Sequence, residues 1–252
     1  MTAPQAKSIA SDLDVEINDA TKAAPRHLSP TDARVIEWDE RLRKLEGAIP
    51  ELGALLRAQW YALQGDVVGM EGAIATARKV GALPEHVLIV QTVSYSNLGF
   101  GTKGLNAYRR AIDIKNFNVT MGIQSGVACG AFQRINELVD QARKTQLDLS
   151  PLVHLDRFAR AKAAIEHQGA TDDDCARVVD LAGEVLRAKS LFWLDLAPEI
   201  LAHGLDDPVV LLMRVDTTAS EASQMSLDLV DKLIDSGMAQ SPFLVSFVGT
   251  RQ

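Results

Sequence analysis

Histidine and aspartate side chains gather in the second half of the chain, where they could hold a divalent metal ion or move protons. His154, Asp156 and His167 precede a run of three carboxylates, Asp172 to Asp174. Imidazole and carboxylate groups together can ligate such an ion. The two histidines are 13 residues apart, so on one helix they would lie on different faces, and neither belongs to an i, i+4 pair. The spacing favours a solvated helix face and an acidic helix start, and we expect neither a metal nor another cofactor.

A glycine-rich segment offers a second kind of chemistry, the binding of a dinucleotide. Gly99-Phe-Gly-Thr-Lys-Gly104 matches the GxGxxG fingerprint and follows an apolar run that could form a strand. In a true fingerprint the glycines bring a pyrophosphate to a helix N-terminus, and an acidic residue about 20 positions later holds the ribose. No Asp or Glu lies between Asp113 and Glu137. The segment is therefore interpreted as a turn between helices.

Asp216, Thr217 and Ser220 form a third candidate site, at the end of a short apolar run. Ligands of α/β sheets often meet the carboxyl end of a strand and the helix N-terminus that follows it. A helix start explains the same residues more simply, with Thr217, Thr218 or Ser220 as the cap and Glu221 in the first turn. The alternative interpretation is that these residues bind the ligand of a small-ligand or nucleotide-responsive sensor or enzyme.

The elements that would position these residues are repeated helices. Three stretches align without gaps on a glycine: YALQGDVVGMEGAIATARK, YSNLGFGTKGLNAYRRAID and GVACGAFQRINELVDQARK. Their glycines, Gly65, Gly99 and Gly130, are 34 and 31 residues apart. An alanine recurs twelve residues after each glycine, on the same helical face as the apolar residues before it. A period of this length predicts helix pairs that stack to share a core.

The pattern resembles the tetratricopeptide repeat (TPR), whose unit has a tyrosine, a turn glycine and small residues in this order. Tyr61 and Tyr95 precede their glycines by four residues, whereas Gly126 replaces the tyrosine in the third unit. The resemblance covers residues 52–145, with a possible degenerate unit in 150–189. It implies a concave surface lined by the first helix of each pair. By this analogy the groove residues are Gln59, Leu63, Val93, Asn97, Gln124 and Ala128.

Such a groove implies a protein or peptide ligand, because amide side chains can bond a peptide backbone while apolar neighbours bury its side chains. The chain's own N-terminal arm could fill the same positions instead. The lysine and arginine set with which some TPR proteins hold an acidic C-terminal tail is absent here, so we do not expect a heat-shock co-chaperone.

Three regions follow from these patterns. Residues 1–30 contain three prolines and alternating charges and predict a mobile arm. Residues 31–190 predict the helical repeat domain. Residues 191–252 predict a small α/β segment, with one strand in the apolar run 191–196 and with strand, helix and strand over 208–249. A helical form of the apolar runs is the alternative. The expected fold is therefore mainly α, a TPR-like α-solenoid of helix-turn-helix repeats with a small C-terminal β-α-β segment.

Composition and charge limit the classes of function that the chain can have. A formal net charge of −7 disfavours nucleic acid as the partner, although a basic set could be proposed. That set is Arg143, Lys144, Arg157, Arg160 and Lys162. The sequence has no secretory signal and no long apolar stretch, so we expect a bacterial cytoplasmic protein that does not enter a membrane. Buried free thiols are expected at Cys129 and Cys175. The repeats and the lack of a recognisable catalytic motif favour a protein-binding adaptor, regulatory or immunity-type protein over an enzyme.

Overall fold

The computed structural model describes residues 3–24, 26–114, 119–147, 149, 155–193 and 199–251. Helices dominate this part of the chain and a small sheet lies at its C-terminal end, which confirms the mainly helical fold with a C-terminal sheet. The helices are α1 (Ala3–Ala23), α2 (Ala33–Ala48), α3 (Pro50–Leu63), α4 (Val67–Lys79), α5 (Pro84–Asn97), α6 (Gly101–Ala111), α7 (Val119–Ala128), α8 (Phe132–Lys144), α9 (Leu155–His167), α10 (Asp172–Ala188) and α11 (Ala219–Asp235). The strands are β1 (Glu199–Leu201), β2 (Val209–Thr218) and β3 (Phe243–Arg251).

Three helix pairs follow one another from α3 to α8, and a short turn joins the two members of each pair. Gly65, Gly99 and Gly130 lie in these turns with φ of +72°, +66° and +76°, a conformation that suits glycine because it lacks a Cβ. The turn position assigned to these glycines is therefore confirmed. The members of each pair pack against each other, and α5 also packs against both α3 and α7.

The N-terminal segment differs from the expected mobile arm, because residues 3–23 form α1. Ala10, Leu13 and Ile17 follow at helical spacing and are all buried, since α1 packs against both α2 and α3. The Glu16 carboxylate accepts hydrogen bonds from Trp38 Nε1 at 2.8 Å and from Arg41 Nη1 at 2.7 Å. Burial of an apolar stripe against α2 and α3 thus outweighs the polar composition of the segment.

The C-terminal strands and helix have the expected order, with α11 joining the parallel strands β2 and β3. The third strand, β1, pairs antiparallel with β2 and forms an edge of the sheet. A strand was also expected at the apolar run from Leu191, where the structure has a single bridge between Leu191 and Arg26. Residues 194–198 lie outside the described part of the chain.

The sheet shares its apolar core with the helices before it. One continuous cluster of buried side chains extends from Ile123 to Phe247. Within it the rings of Phe132 on α8 and Phe243 on β3 lie 5.4 Å apart. The boundary placed after residue 190 therefore does not coincide with a break in the core.

Candidate functional site

The glycines of the GxGxxG segment are packing positions for α10. A Cβ on Gly99 would come within 2.5 Å of Gly183 Cα on α10, and a Cβ on Gly183 would overlap the Gly99 carbonyl oxygen. Gly101 likewise faces the carbonyl oxygen of Ala176. Only residues without a side chain allow the helix and the turn to approach this closely.

The N-terminus of α6, where a pyrophosphate would bind in a fingerprint motif, holds a carboxylate of the chain itself. Asp180 Oδ2 on α10 accepts hydrogen bonds from the Thr102 backbone N–H at 3.2 Å and from the Thr102 hydroxyl. Two turns further along α10, Arg187 Nη1 donates to the carbonyl oxygens of Leu98 and Gly99 at 2.7 and 2.9 Å. Two oppositely charged side chains of α10 thus provide hydrogen-bond partners for the α5–α6 turn. The Asp180 carboxylate accepts from the start of α6, and the Arg187 guanidinium donates to the carbonyl groups that follow α5.

Asp172 at the start of α10 caps the N-terminus of α8, as Asp180 caps that of α6. Its carboxylate is almost fully buried and accepts hydrogen bonds from the backbone N–H groups of Gln133 at 2.8 Å and Arg134 at 3.2 Å. Burial raises the pKa of Asp172, and these two hydrogen bonds oppose the increase. The capping box of α10 is formed instead by Thr171 and Asp174. The acidic run is thus a helix start, as the spacing indicated, and its first carboxylate also caps a neighbouring helix.

The groove residues on α3 and α5 lie together around one small cleft of about 20 Å³, which we call the α1–α3–α5 cleft. Four of the six groove residues line it: Gln59, Leu63, Val93 and Asn97. The other lining residues are Asn18, Thr21, Ala62, Ser94 and Phe192. A volume of about 20 Å³ holds about one water-sized group, so the cleft can accept a single small group of a ligand, such as a backbone N–H.

Two polar side chains of the cleft have hydrogen-bond partners within α1, whereas one buried polar atom has none among the described residues. The Gln59 Oε1 atom is buried and has no hydrogen-bond partner among the described residues. The Thr21 hydroxyl donates to the Ile17 carbonyl oxygen at 2.8 Å, and Asn18 Nδ2 donates to Asp14 at 3.0 Å. A buried carbonyl oxygen without a donor costs free energy, and a ligand N–H in the cleft would remove that cost.

The chain itself closes two sides of the cleft. Asn18 and Thr21 of α1 form one side, as the alternative of an N-terminal arm over the groove anticipated. Phe192 forms another, and its ring lies 4.7 Å from the ring of His27, which packs on the Gly65 turn. Gln124 and Ala128, the two groove residues on α7, are partly buried but do not line this cleft. Of the predicted groove residues, only those on α3 and α5 therefore lie at this cleft.

The alternative ligand site at the C-terminal end of β2 is filled by interactions of its own residues. Arg251 Nε donates to Asp216 Oδ1 at 2.8 Å, and Arg26 Nη2 donates to the Asp216 carbonyl oxygen at 3.0 Å. The hydrogen bond from Arg251 lowers the pKa of Asp216. The Thr217 side chain is buried, and its hydroxyl donates a hydrogen bond to the Glu221 carboxylate.

The start of α11 accounts for the remaining residues of that alternative site. Thr218 is the N-cap and forms a capping box with Glu221, while Ser220 is exposed. The helix-start interpretation thus accounts for these side chains, and Thr218 is the residue that caps.

The described residues contain no cluster of three or more His, Cys, Asp or Glu side chains arranged to hold a metal. His154 lies outside the described residues, while His167 Nε2 lies 3.2 Å from Asp206 Oδ1 at an exposed position. Cys129 and Cys175 are buried free thiols, and burial raises the pKa of both. A reactive thiolate is therefore disfavoured at either position.

The basic set proposed for nucleic acid is largely paired with carboxylates. Three exposed ion pairs lie within the helices at 3.3, 2.8 and 3.8 Å: Arg143–Asp140, Arg160–Asp156 and Lys162–Glu166. Such pairs are typical of a solvated helix surface.

Sequence reasoning located the α3 and α5 residues of the cleft through the repeat register. It missed Phe192 and Asp180, which contact residues far away in the chain. No protein-family model, curated protein or solved structure matches this chain. Within the described residues, every helix is too short or too polar to cross a bilayer.

Proposed function

We propose that the protein binds a partner protein through an extended peptide segment that enters the α1–α3–α5 cleft. The observation that carries this proposal is the cleft itself, in which residues chosen from the repeat register surround a buried Gln59 Oε1 atom without a partner. A peptide N–H would donate to this atom, and an apolar side chain of the peptide would pack over the apolar rim formed by Leu63, Val93 and Phe192. The role that follows is that of an adaptor or regulatory protein of the cytoplasm.

We also infer that the pairs from α3 to α8 are TPR-like repeats of one solenoid. The 34- and 31-residue spacing of the turn glycines and the packing of α5 against both α3 and α7 support this inference. In a solenoid the first helices of successive pairs share one surface. The cleft lies on that surface, with α1 and Phe192 covering part of it.

The binding proposal is tested with peptides selected by display against the intact chain. Each selected peptide is labelled, and its dissociation constant is measured by fluorescence polarisation. Val93→Asp places a charge at the apolar side of the cleft and should weaken binding by at least about tenfold, since 1.4 kcal/mol corresponds to a factor of ten. Gln59→Ala removes the acceptor and should weaken binding by about five- to tenfold, the effect of one hydrogen bond of about 1 kcal/mol.

The matched control is Val68→Asp on α4, because Val68 is 82% exposed and does not line the cleft. It should leave the dissociation constant unchanged. Circular dichroism of each variant checks that the fold is retained. If the selected peptides bind the Val93→Asp and Gln59→Ala proteins as tightly as the parent, the cleft is not the binding site and the proposal is wrong.

A further inference from the structure

Helix α11 has two apolar faces, of which only one packs against the protein. Ala222, Met225, Leu229 and Leu233 are buried in the core that the sheet shares with the preceding helices. On another face three large aliphatic side chains remain in solvent. They are Leu227, Val230 and Ile234, with 58%, 48% and 58% of their surface exposed. We call them the α11 stripe.

The spacing of the stripe is that of a helix–helix contact. Its members are separated by three and four residues, which corresponds to successive a, d and a positions of a heptad. Most other exposed large apolar side chains of the described residues occur singly on their elements, as is normal for a protein surface. A valine and an isoleucine on an exposed helix face give no advantage in helix propensity. The stripe therefore has no evident role in the fold.

Carboxylates flank the stripe on one side. Asp231 and Asp235 are exposed and make no ion pair with any described residue, and Asp228 accepts a hydrogen bond from Gln224 at 2.9 Å. The cation in the same stretch of α11, Lys232, is 2.6 Å from Glu184 on α10. The charge beside the stripe is thus acidic and is not compensated within the described protein.

We propose that the α11 stripe docks a short amphipathic helix of a partner protein that carries lysine or arginine beside its own apolar side chains. The apolar residues of the partner pack against Leu227, Val230 and Ile234 as in a two-stranded coiled coil. Its cations face Asp231 and Asp235 and set the orientation of the two helices. This surface is separate from the α1–α3–α5 cleft and does not depend on the peptide that enters the cleft.

Two other occupants fit the stripe less well. A second copy of α11 would bring the like charges of Asp231 and Asp235 together, which disfavours pairing of the two helices. An anionic membrane surface would be repelled by the same aspartates. A basic helix satisfies both the apolar and the acidic part of the surface.

The test uses the full chain and a labelled synthetic helix of about three heptads with leucine at a and d and lysine at e and g. Fluorescence anisotropy at low salt measures its affinity. A scrambled peptide of the same composition controls for general attraction to an acidic protein. We expect the patterned peptide to bind at least about tenfold more tightly than the scrambled one, and Val230→Glu to remove this difference.

Charge reversal tests the orientation set by the aspartates. The double variant Asp231→Lys/Asp235→Lys should bind the lysine peptide at least about tenfold more weakly and should gain affinity for a peptide with glutamate at e and g. Val68→Glu, at the exposed position on α4, should leave the binding unchanged, as should Val93→Asp in the cleft. Unchanged thermal unfolding of each variant establishes that the fold is retained.

Three results would overturn the proposal. The first is equal binding of the patterned and scrambled peptides. The second is patterned binding that survives Val230→Glu in the folded variant. The third is a dimer in sedimentation that Val230→Glu dissociates, because the stripe would then belong to self-association.

Discussion

Replacement of Gly183 by alanine should destabilise the protein, although alanine is the better helix former. Gly183 lies in α10 and faces the turn that contains Gly99. A Cβ on Gly183 would overlap the Gly99 carbonyl oxygen and would lie 2.5 Å from the Gly99 carbonyl carbon, whereas ordinary contact begins at 3.4 Å. Helix and turn would have to separate by about 1 Å or more to admit the methyl group.

That separation would stretch the hydrogen bonds from Arg187 to the Leu98 and Gly99 carbonyl oxygens, now 2.7 and 2.9 Å long. Overpacking costs about 1–3 kcal/mol, and loss of a hydrogen bond to a charged group costs about 1.5–3 kcal/mol. The higher helix propensity of alanine offsets about 1 kcal/mol of this loss in the free energy of unfolding. The net expectation is a loss of about 1.5–5 kcal/mol.

The assay is urea unfolding of the full chain followed by circular dichroism, with Gly72→Ala as the matched control. Gly72 lies in α4, and an added Cβ there would meet no atom within 4 Å. Gly72→Ala should therefore stabilise the protein by up to about 1 kcal/mol. If Gly183→Ala also raised the unfolding midpoint, α10 would not lie against the turn as described. The packing explanation of the GxGxxG segment would then be wrong.

Three further perturbations test other contacts. Leu13→Ala should lower the free energy of unfolding by about 2–5 kcal/mol in urea titrations, because the Leu13 side chain on α1 is fully buried and α1 packs against α2 and α3; a change near zero would show that α1 does not pack on these helices. Burial, and to a smaller extent Arg187, lowers the pKa of His27, so the unfolded chain binds the proton more readily and thermal stability should fall as the pH decreases from about 7 to about 5. His27→Gln should flatten this pH dependence, and an unchanged slope would contradict the assignment. Asp180→Ala removes the carboxylate that caps α6 and should cost about 0.5–2 kcal/mol in unfolding; a stability equal to that of the parent would show that this cap contributes nothing.

The parts of the fold that follow from local patterns could be predicted from the sequence. The period of Gly65, Gly99 and Gly130 identified the helix pairs and their turns. Short apolar runs bounded by turn residues near the C-terminus predicted β2 and β3, and the helical spacing of the apolar residues between them predicted α11. The same register also placed Gln59 and Val93 beside one cleft, because equivalent positions of neighbouring repeats face the same side.

The remaining features depend on contacts between distant parts of the chain. Ala10, Leu13 and Ile17 form a helical stripe, but its stability comes from burial against α2 and α3, which no local pattern reveals. Asp180 is 78 residues from Thr102, and nothing near it in the sequence indicates that its carboxylate caps α6. Phe192 was interpreted as part of a strand and instead closes the cleft. In each case tertiary packing decides the role of the residue.

The central claim, that a partner peptide enters the α1–α3–α5 cleft, is tested most directly by blocking the cleft chemically. Both native cysteines are buried, so Asn97→Cys introduces an accessible thiol at the cleft that a bulky maleimide can modify. Val68→Cys, modified in the same way on α4, is the control. We predict that peptide selected against the parent chain loses at least about tenfold in affinity for the modified Asn97→Cys protein and binds the modified Val68→Cys protein normally. Equal affinity for the two modified proteins would contradict the account.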